Sequence, residues 1–217
     1  MKLIVGLLTA LWVTQAAADR RPTTRFTMHA DYDEFRLWTL NVPPGDTAPT
    51  HRFEGPVVVL FSAGVIMQTT LDGRSIERVR EIGDVEYLEK ADLTALGHPL
   101  NRALSAEVIE LRVSPRTKAT NGPAAAPRAD AEHVFENDRI AMWSWTIVAG
   151  GNNIVNRTGL SFTMWLDDGT LLRRAPARTP PRQVQVWRGT VSYGSGDSPM
   201  EESTAGTPIR ALNIQIK

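Results

Sequence analysis

The chain has 217 residues, 24 acidic and 24 basic side chains, no cysteine and a sequence isoelectric point near 6.9. Because there is no net positive charge to attract phosphate backbones or anionic lipid, we expect no nucleic-acid partner. Because there is no cysteine, no disulfide can form, and the stability of the fold must come from packed cores. The length suits one large domain or two small ones.

The N-terminal segment has the pattern of a secretory signal peptide. Met1 and Lys2 are followed by an apolar run over residues 3–13, and small residues stand at Ala16 and Ala18. The run is too short to span a bilayer, and it ends in small residues as signal sequences do. We therefore predict cleavage after Ala18, no membrane association of the mature chain, and a periplasmic or secreted location.

The rest of the sequence contains two copies of one pattern. Residues 31–45 ("DYDEFRLWTLNVPPG") align without a gap with residues 136–150 ("ENDRIAMWSWTIVAG"), at an offset of 105. The same offset relates Gly64 to Gly169, and "IEL" at 109–111 to "IQI" at 214–216. Matches near both ends of each copy indicate an internal duplication.

A stretch rich in proline and alanine, without apolar periodicity, separates the two copies and is predicted to be a linker. The predicted organisation is a signal peptide at 1–18, a first domain at 19–113, the linker at 114–130 and a second domain at 131–217.

Both copies have the pattern of short strands. "FRLWTLNV" and "AMWSWTIV" alternate, or nearly so, and Asp72-Gly73 stands between two extended segments, as in a tight hairpin. Only residues 89–98 ("EKADLTALGH") suggest a short helical turn. Many short strands with few helices predict all-β sandwiches or barrels. The tryptophans of the predicted strands are expected in a core or between the barrels: Trp38, Trp143, Trp145, Trp165 and Trp187.

The segment "PPGDTAPTHRFEGPVVVLFSAG" resembles the first motif of the cupin superfamily. That motif runs Gly, five residues, His-x-His, three or four residues, Glu, six residues, Gly, and Gly45, His51 and Gly64 fall at its glycines and first histidine. "GDVEYLEKADLTALGHPLN", from Gly83, resembles the second motif, which carries another histidine. The resemblance implies an all-β bicupin: two tandem cupin-type jelly-roll β-barrels in one chain.

In metal-binding cupins the histidines and glutamate of the two motifs converge in the barrel mouth, a nitrogen–oxygen set suited to transition metals. In this chain Phe53 and Val57 stand at two of those positions, which leaves His51 and His98. One hypothesis is a two-histidine site for Fe, Mn or Zn in the first barrel. The other is a decayed metal site that holds no cofactor. Candidate further ligands for the two-histidine site are Glu86, Glu89 and Asp92.

The second copy has no histidine after His133, so its barrel is predicted to be metal-free. At the ligand positions of the motif the offset of 105 places Asn156, Thr158 and Phe162. Glu54 is expected to point away from His51, because neighbouring residues on a strand face opposite sides. The residues predicted to line a ligand pocket are Phe53, Val57, Tyr87, Asn101, Asn156, Thr158 and Phe162.

Three functions are compatible with this pattern. The first is a non-catalytic exported bicupin that binds a small molecule or has a structural role. The second is a metal-dependent enzyme, a dioxygenase or an isomerase, that uses only the first barrel. The third is an interaction module that pairs with itself or with another protein through an exposed sheet edge. We favour the first, because most of the expected ligands are missing.

Overall fold

The computed structural model describes residues 23–71, 74–89, 93–112, 125–150, 153–156, 159–174, 180–195 and 199–217. The predicted signal peptide and most of the predicted linker therefore lie outside the described residues. Within the described ranges, no helix has the length and apolarity needed to cross a membrane.

The first half of the chain forms two antiparallel sheets. One has five strands in the order β1-β2-β8-β3-β6, and the other has three in the order β5-β4-β7. A single turn of 3-10 helix at Leu93–Leu96 confirms the predicted helical turn. Leu71 pairs with Arg74, the register of a hairpin with a two-residue connection, although the turn residues themselves are not described. The strands are β1 Arg25–Asp31, β2 Phe35–Val42, β3 Val57–Phe61, β4 Val65–Leu71, β5 Arg74–Arg80, β6 Val85–Leu88, β7 His98–Pro99 and β8 Leu104–Leu111.

The second half repeats this plan, with a five-stranded sheet in the order β15-β12-β17-β10-β9 and a four-stranded sheet in the order β11-β16-β13-β14. The all-β architecture of two tandem jelly-roll barrels is thereby confirmed. The strands are β9 Glu132–Glu136, β10 Ile140–Ile147, β11 Asn153–Asn156, β12 Leu160–Trp165, β13 Gly169–Arg174, β14 Arg182–Val186, β15 Val191–Ser195, β16 Pro199–Thr204 and β17 Ile209–Ile216.

The duplication is visible in the strand order. Reversed, the second five-stranded sheet is β9-β10-β17-β12-β15, which matches β1-β2-β8-β3-β6 strand for strand. The residue numbers of β10 and β17 are those of β2 and β8 raised by 105, from first residue to last. The pairs β1–β2 and β9–β10 also carry a register shift at the same place. In the first pair it lies opposite Leu37 and Trp38 of β2, and in the second it lies at the equivalent Met142 and Trp143 of β10.

The two five-stranded sheets pack against each other through their outer faces. Because side chains alternate along a strand, Phe35 and Leu37 of β2 face the second barrel, while Leu40 and Val42 face the interior of the first. Phe35 meets Phe162 edge to face, with 4.9 Å between ring centroids. The buried residues of this inter-barrel cluster are Phe35, Leu37, Val58, Leu60, Ile109, Leu111, Ile140, Met142, Phe162, Met164, Leu212 and Ile214.

Cross-strand pairing corrects the gapless alignment in one region. Val59 of β3 pairs with Val108 of β8, and Thr163 of β12 pairs with Asn213 of β17. Since Val108 and Asn213 are equivalent at an offset of 105, Thr163 corresponds to Val59 at an offset of 104. The second copy is therefore one residue shorter between β10 and β12. A shift of one residue moves every side chain of a strand to its other face.

The shift changes two assignments. Phe162 corresponds to Val58, which faces the second barrel, and not to Val57, which faces the interior of the first. Gly169 opens β13 as Val65 opens β4, so Gly169 is not the counterpart of Gly64. The gapless offset of 105 was wrong here, because the loops that contain the deletion have no apolar pattern to reveal it.

The tryptophans divide between buried and exposed positions. Trp145 and Trp165 are buried in the second barrel, where Trp143 packs against them, and Trp38 packs on the core of the first. Trp187 is the exception: it follows β14 rather than lying in a strand, and its exposed fraction is 58%. Its assignment to a buried strand was wrong, because the β-rich segment ends one residue earlier.

We predict that Phe162→Ala lowers the free energy of unfolding by about 3 to 5 kcal/mol, because it leaves a cavity between two sheets that cannot close around it. Val134→Ala is the control, since Val134 is 51% exposed, and it should change the value by less than about 1 kcal/mol. Urea unfolding followed by tryptophan fluorescence measures both. Equal effects of the two substitutions would contradict the packing described here.

Candidate functional site

The mouth of the first barrel is filled by rings. His51 lies in an irregular segment before β3, and its imidazole is 4.6 Å from the ring of Phe53, 4.9 Å from Trp38 and 5.1 Å from Phe26, between centroids. Phe26 is itself stacked on Trp38 at 4.5 Å. The histidine is thus one ring in an aromatic cluster. Phe53 and Val57 are buried beside it in the core of the first barrel.

His98 points away from this cluster. It is opposite Gln68 in the β4–β7 pair, and Pro99 is opposite Met67. Met67 is buried in the barrel core, so His98, one residue from Pro99, faces the other side of the sheet. Gly97, with φ of 83°, fixes this turn, because a Cβ there would collide with the carbonyl oxygen of Gln68. The structure does not bring His51 and His98 to one face.

The carboxylates considered as further ligands do not complete a set. Glu86 forms a salt bridge with Arg80, and Asp92 lies outside the described residues. In the part of the chain that the structure describes, no three His, Asp or Glu side chains come together as a metal site requires. Catalytic metals are generally held by three protein ligands. The residues of the first barrel that the structure describes therefore do not fit the metal centre that the motif implies.

Glu54 faces away from the aromatic cluster, as predicted, although its segment is not a strand. Its side chain is 68% exposed and lies 3.6 Å from Arg36 and 3.8 Å from Arg112. Its backbone N–H donates to the buried carboxylate of Glu110 at 2.7 Å. Glu54 thus belongs to the charged rim of the barrel.

The other predicted pocket residues are dispersed. Tyr87 is opposite Val58 and packs against the inter-barrel cluster, where burial raises its pKa. Asn101 accepts a hydrogen bond from the backbone N–H of Ile66 at 3.0 Å. Phe162, fully buried, lies between the sheets and not inside the second barrel. Asn156 is in β11, but its side chain is not described, and Thr158 lies outside the described residues.

One part of the inner face of the second barrel is polar, beside the apolar cluster that contains Trp145, Trp165 and Leu171. Cross-strand register places Trp143, Asn213 and Thr163 side by side on β10, β17 and β12. The row beside it contains Gln215 and Ser161. Neighbours within a row are about 5 Å apart, and rows are about 7 Å apart. These side chains therefore form one continuous polar wall across three strands.

Several polar atoms of this wall have no hydrogen-bond partner among the described residues. Asn213 uses its amide nitrogen, which donates to the carbonyl oxygen of Phe162 and to Thr163 Oγ1, both at 3.1 Å. Its Oδ1 accepts nothing. Ser161, Asn213 and Gln215 are each at most 3% exposed. The buried atoms of the wall without a partner are Ser161 Oγ, Asn213 Oδ1, Gln215 Nε2, Trp143 Nε1 and Trp145 Nε1.

An ion pair with a buried carboxylate lies on the sheet opposite this wall. Arg173 of β13 donates to Glu202 of β16 at 2.9 Å, and Glu202 is only 1% exposed. The guanidinium lies over the ring of Trp165, 5.6 Å from its centroid, and its Nη2 has no partner in the described ranges. Because the opposite charges of Arg173 and Glu202 are in contact, the pair adds no net charge to the interior.

The corrected alignment shows what changed between the copies. Val57, Val59 and Val108 of the first barrel correspond to Ser161, Thr163 and Asn213 of the second. Sequence reasoning missed these residues, because the offset of 105 placed Phe162 inside. The signal was present in "LSFTMW", where serine and threonine alternate with three apolar residues and so share a face.

Solved structures with the cupin fold share this architecture. A cupin 2 conserved barrel domain protein from Leptotrichia buccalis has a TM-score of 0.56 at 11% identity, over 89% of this chain and 89% of that one. AerE from Microcystis aeruginosa has a TM-score of 0.55 at 11% identity, over 92% of this chain and 95% of that one. A salicylate 1,2-dioxygenase from Pseudaminobacter salicylatoxidans has a TM-score of 0.55 at 11% identity, over 88% of this chain and 76% of that one.

At this level of identity the likeness establishes the fold, and it confirms the cupin architecture that the motifs predicted. No protein-family model and no curated protein matches the sequence. The function must therefore be argued from the site itself.

We predict that Arg173→Met lowers the free energy of unfolding by about 1 to 3 kcal/mol, because it removes the charge-assisted hydrogen bond from the guanidinium to the buried Glu202 carboxylate. Adding Glu202→Met should recover most of that loss, since two apolar side chains of similar length replace the pair. Urea unfolding of the single and double variants measures both values. If the double variant is no more stable than Arg173→Met alone, the pair is not coupled as described.

Proposed function

We propose that this chain is a non-catalytic exported binding protein with the cupin fold, and that its second barrel holds a small polar molecule. The observation that carries the proposal is the wall of buried polar atoms without partners on β10, β12 and β17. Leaving a buried polar group unpaired costs about 1 to 3 kcal/mol. A molecule that pairs with several such groups at once would recover that cost on binding.

The chemistry of the wall favours a neutral ligand with both donors and acceptors. Trp143 and Trp145 offer only N–H donors, Asn213 offers a free acceptor, and the Ser161 hydroxyl can do either. Arg173 is already neutralised by Glu202. The apolar faces of the tryptophan rings would cover the carbon skeleton. Sugars, polyols and amides have this composition.

The first barrel has a structural role in this proposal. Its interior is filled mainly by apolar side chains, with the buried carboxylate of Glu110 paired to Arg36, and the rings around His51 occupy its mouth. Its outer face supplies half of the inter-barrel cluster that holds the two sheets together. The site therefore lies in one copy, while the other supports it.

An enzyme that uses a metal in the first barrel is the main alternative, and the positions of His51 and His98 argue against it. We predict that the untagged mature protein and its His51→Ala variant have the same content of Fe, Mn and Zn by inductively coupled plasma mass spectrometry. One equivalent of metal that is lost in His51→Ala would overturn the binding proposal in favour of a metalloenzyme.

Self-association through sheet edges is a weaker alternative. The edge strands β1 and β9 each carry an irregularity that disturbs the flat row of backbone groups needed for pairing. Light scattering of the purified protein tests this alternative.

The binding proposal predicts opposite effects of one substitution on stability and on binding. Ser161→Ala removes a buried hydroxyl without a partner, so the melting temperature without ligand should stay equal or rise. Asn213→Val gives the wall the residue found at this position in the first barrel. Both variants should lose the thermal shift that D-glucose, myo-inositol or L-glutamine produces in the wild type, as measured by scanning fluorimetry.

Val108→Ala, at the position equivalent to Asn213, is the matched control. It should lower the melting temperature through a cavity in the first barrel, yet retain the shift that the probe produces. The proposal fails if none of the three probes raises the melting temperature of the wild type, or if the shift survives in Asn213→Val.

A further inference from the structure

A second concave surface lies outside both barrels. It is a groove of about 370 Å³ on the outer face of β1 and β2, beyond the part of that face covered by the inter-barrel cluster. All of its lining residues are polar: Thr23, Arg25, Thr27, His29, Thr39 and Asn41. An outer sheet face lined by threonines, an asparagine, an arginine and a histidine offers hydrogen-bonding groups among the methyl and methylene carbons that form most of its surface.

A β-bulge places His29 in this groove. Met28 is opposite Trp38 and Ala30 is opposite Leu37, so His29 has no residue opposite it on β2. Bulges redirect side chains and are frequent beside functional sites. Neither His29 nor Arg25 has an ion-pair partner in the described part of the chain. Both are therefore available to a ligand.

A partly buried carboxylate adjoins the groove on its inner side. Thr39 is flanked by Thr27 of β1 and Glu107 of β8, so the three form one row across the sheet. Thr39 Oγ1 lies 2.9 Å and 3.1 Å from the two carboxylate oxygens and can donate only one hydrogen. Burial raises the pKa of Glu107. The hydrogen bond from Thr39 and the electrostatic interaction with His29 lower this pKa and offset part of the increase. The carboxylate has spare acceptor capacity.

The duplication supplies a comparison surface. A groove of about 490 Å³ at the equivalent place in the second copy is lined by Asp130, Glu132 and Ser144, where the first has Arg25, Thr27 and Thr39. Asp130 is bound by Arg128 at 2.6 and 2.8 Å. The second groove also contains Arg210, which forms a salt bridge with Asp167, so its aspartate and its arginine are both engaged within the chain. An exposed arginine and histidine without an ion-pair partner in the described part of the chain are thus a feature of the first groove and not of the second.

We infer that the groove lined by Arg25, His29 and Thr39 binds a small hydroxycarboxylate. Its carboxylate would lie between Arg25 and His29, and a distal hydroxyl would donate to Glu107. Arg25 and His29 are on β1, and Glu107 is two strands away on β8, a separation of about 10 Å. A six-carbon hydroxy acid spans that distance. This site is independent of the polar wall in the second barrel.

Titration with sodium D-gluconate, followed by ¹H–¹⁵N correlation spectra of the full chain, tests the inference. We expect saturable shifts confined to amides of β1, β2 and the adjoining part of β8. D-Sorbitol lacks the carboxylate and hexanoate lacks the hydroxyls, so each should bind at least about tenfold more weakly. Arg25→Ala should weaken gluconate binding by about tenfold, since it removes one charge-assisted contact.

Asn213→Val separates this site from the proposed one. It should leave gluconate shifts in β1 and β2 unchanged, whatever its effect on binding in the second barrel. Three results would overturn the inference: no gluconate shifts in β1 and β2, equal affinity of Arg25→Ala and wild type, or equal affinity for gluconate and hexanoate.

Discussion

The packing of one five-stranded sheet on the other constrains every other feature of this molecule. Each strand of these sheets must present apolar side chains outward over the length of the contact, from Phe35 and Leu37 at one side to Phe162 and Met164 at the other. Because side chains alternate, the other face of each strand is free of that requirement. Differences in chemistry between the copies are therefore confined to the two interiors and to the outer surface beyond the contact.

The side chains of the two interiors differ in chemistry. Both interiors nevertheless contain an aromatic ring covered by an arginine. Phe61 in the first barrel and its counterpart Trp165 in the second are each covered by an arginine, at 5.1 Å and 5.6 Å from the ring centroid. The arginine is Arg80 of β5 in one and Arg173 of β13 in the other. The arrangement recurs although the residue comes from a different strand. An arginine over an aromatic ring is thus common to the interiors of both barrels.

The sequence was sufficient to predict the architecture, because the alternation in "FRLWTLNV" and its copy sets both the strand and the face that is buried. The positions of individual site residues were harder to predict. Phe162 and Ser161 are adjacent, and only the pairing of Thr163 with Asn213 decides which of them points inward. The same limit applies to His98, whose side depends on its pairing with Gln68. Period-two patterns define faces well only when the register is known.

The one-residue difference between the copies links the interface to the proposed site. If β12 kept the offset of 105, Phe162 would point into the second barrel, and Ser161 and Thr163 would lie against the first. The sheets would then lose apolar contact and bury hydroxyls between them, which is costly without hydrogen bonds. The shorter loop before β12 avoids both effects, because one shift turns its apolar side chains outward and its polar ones inward. The register that lets the two sheets pack together therefore also places the polar wall inside the second barrel.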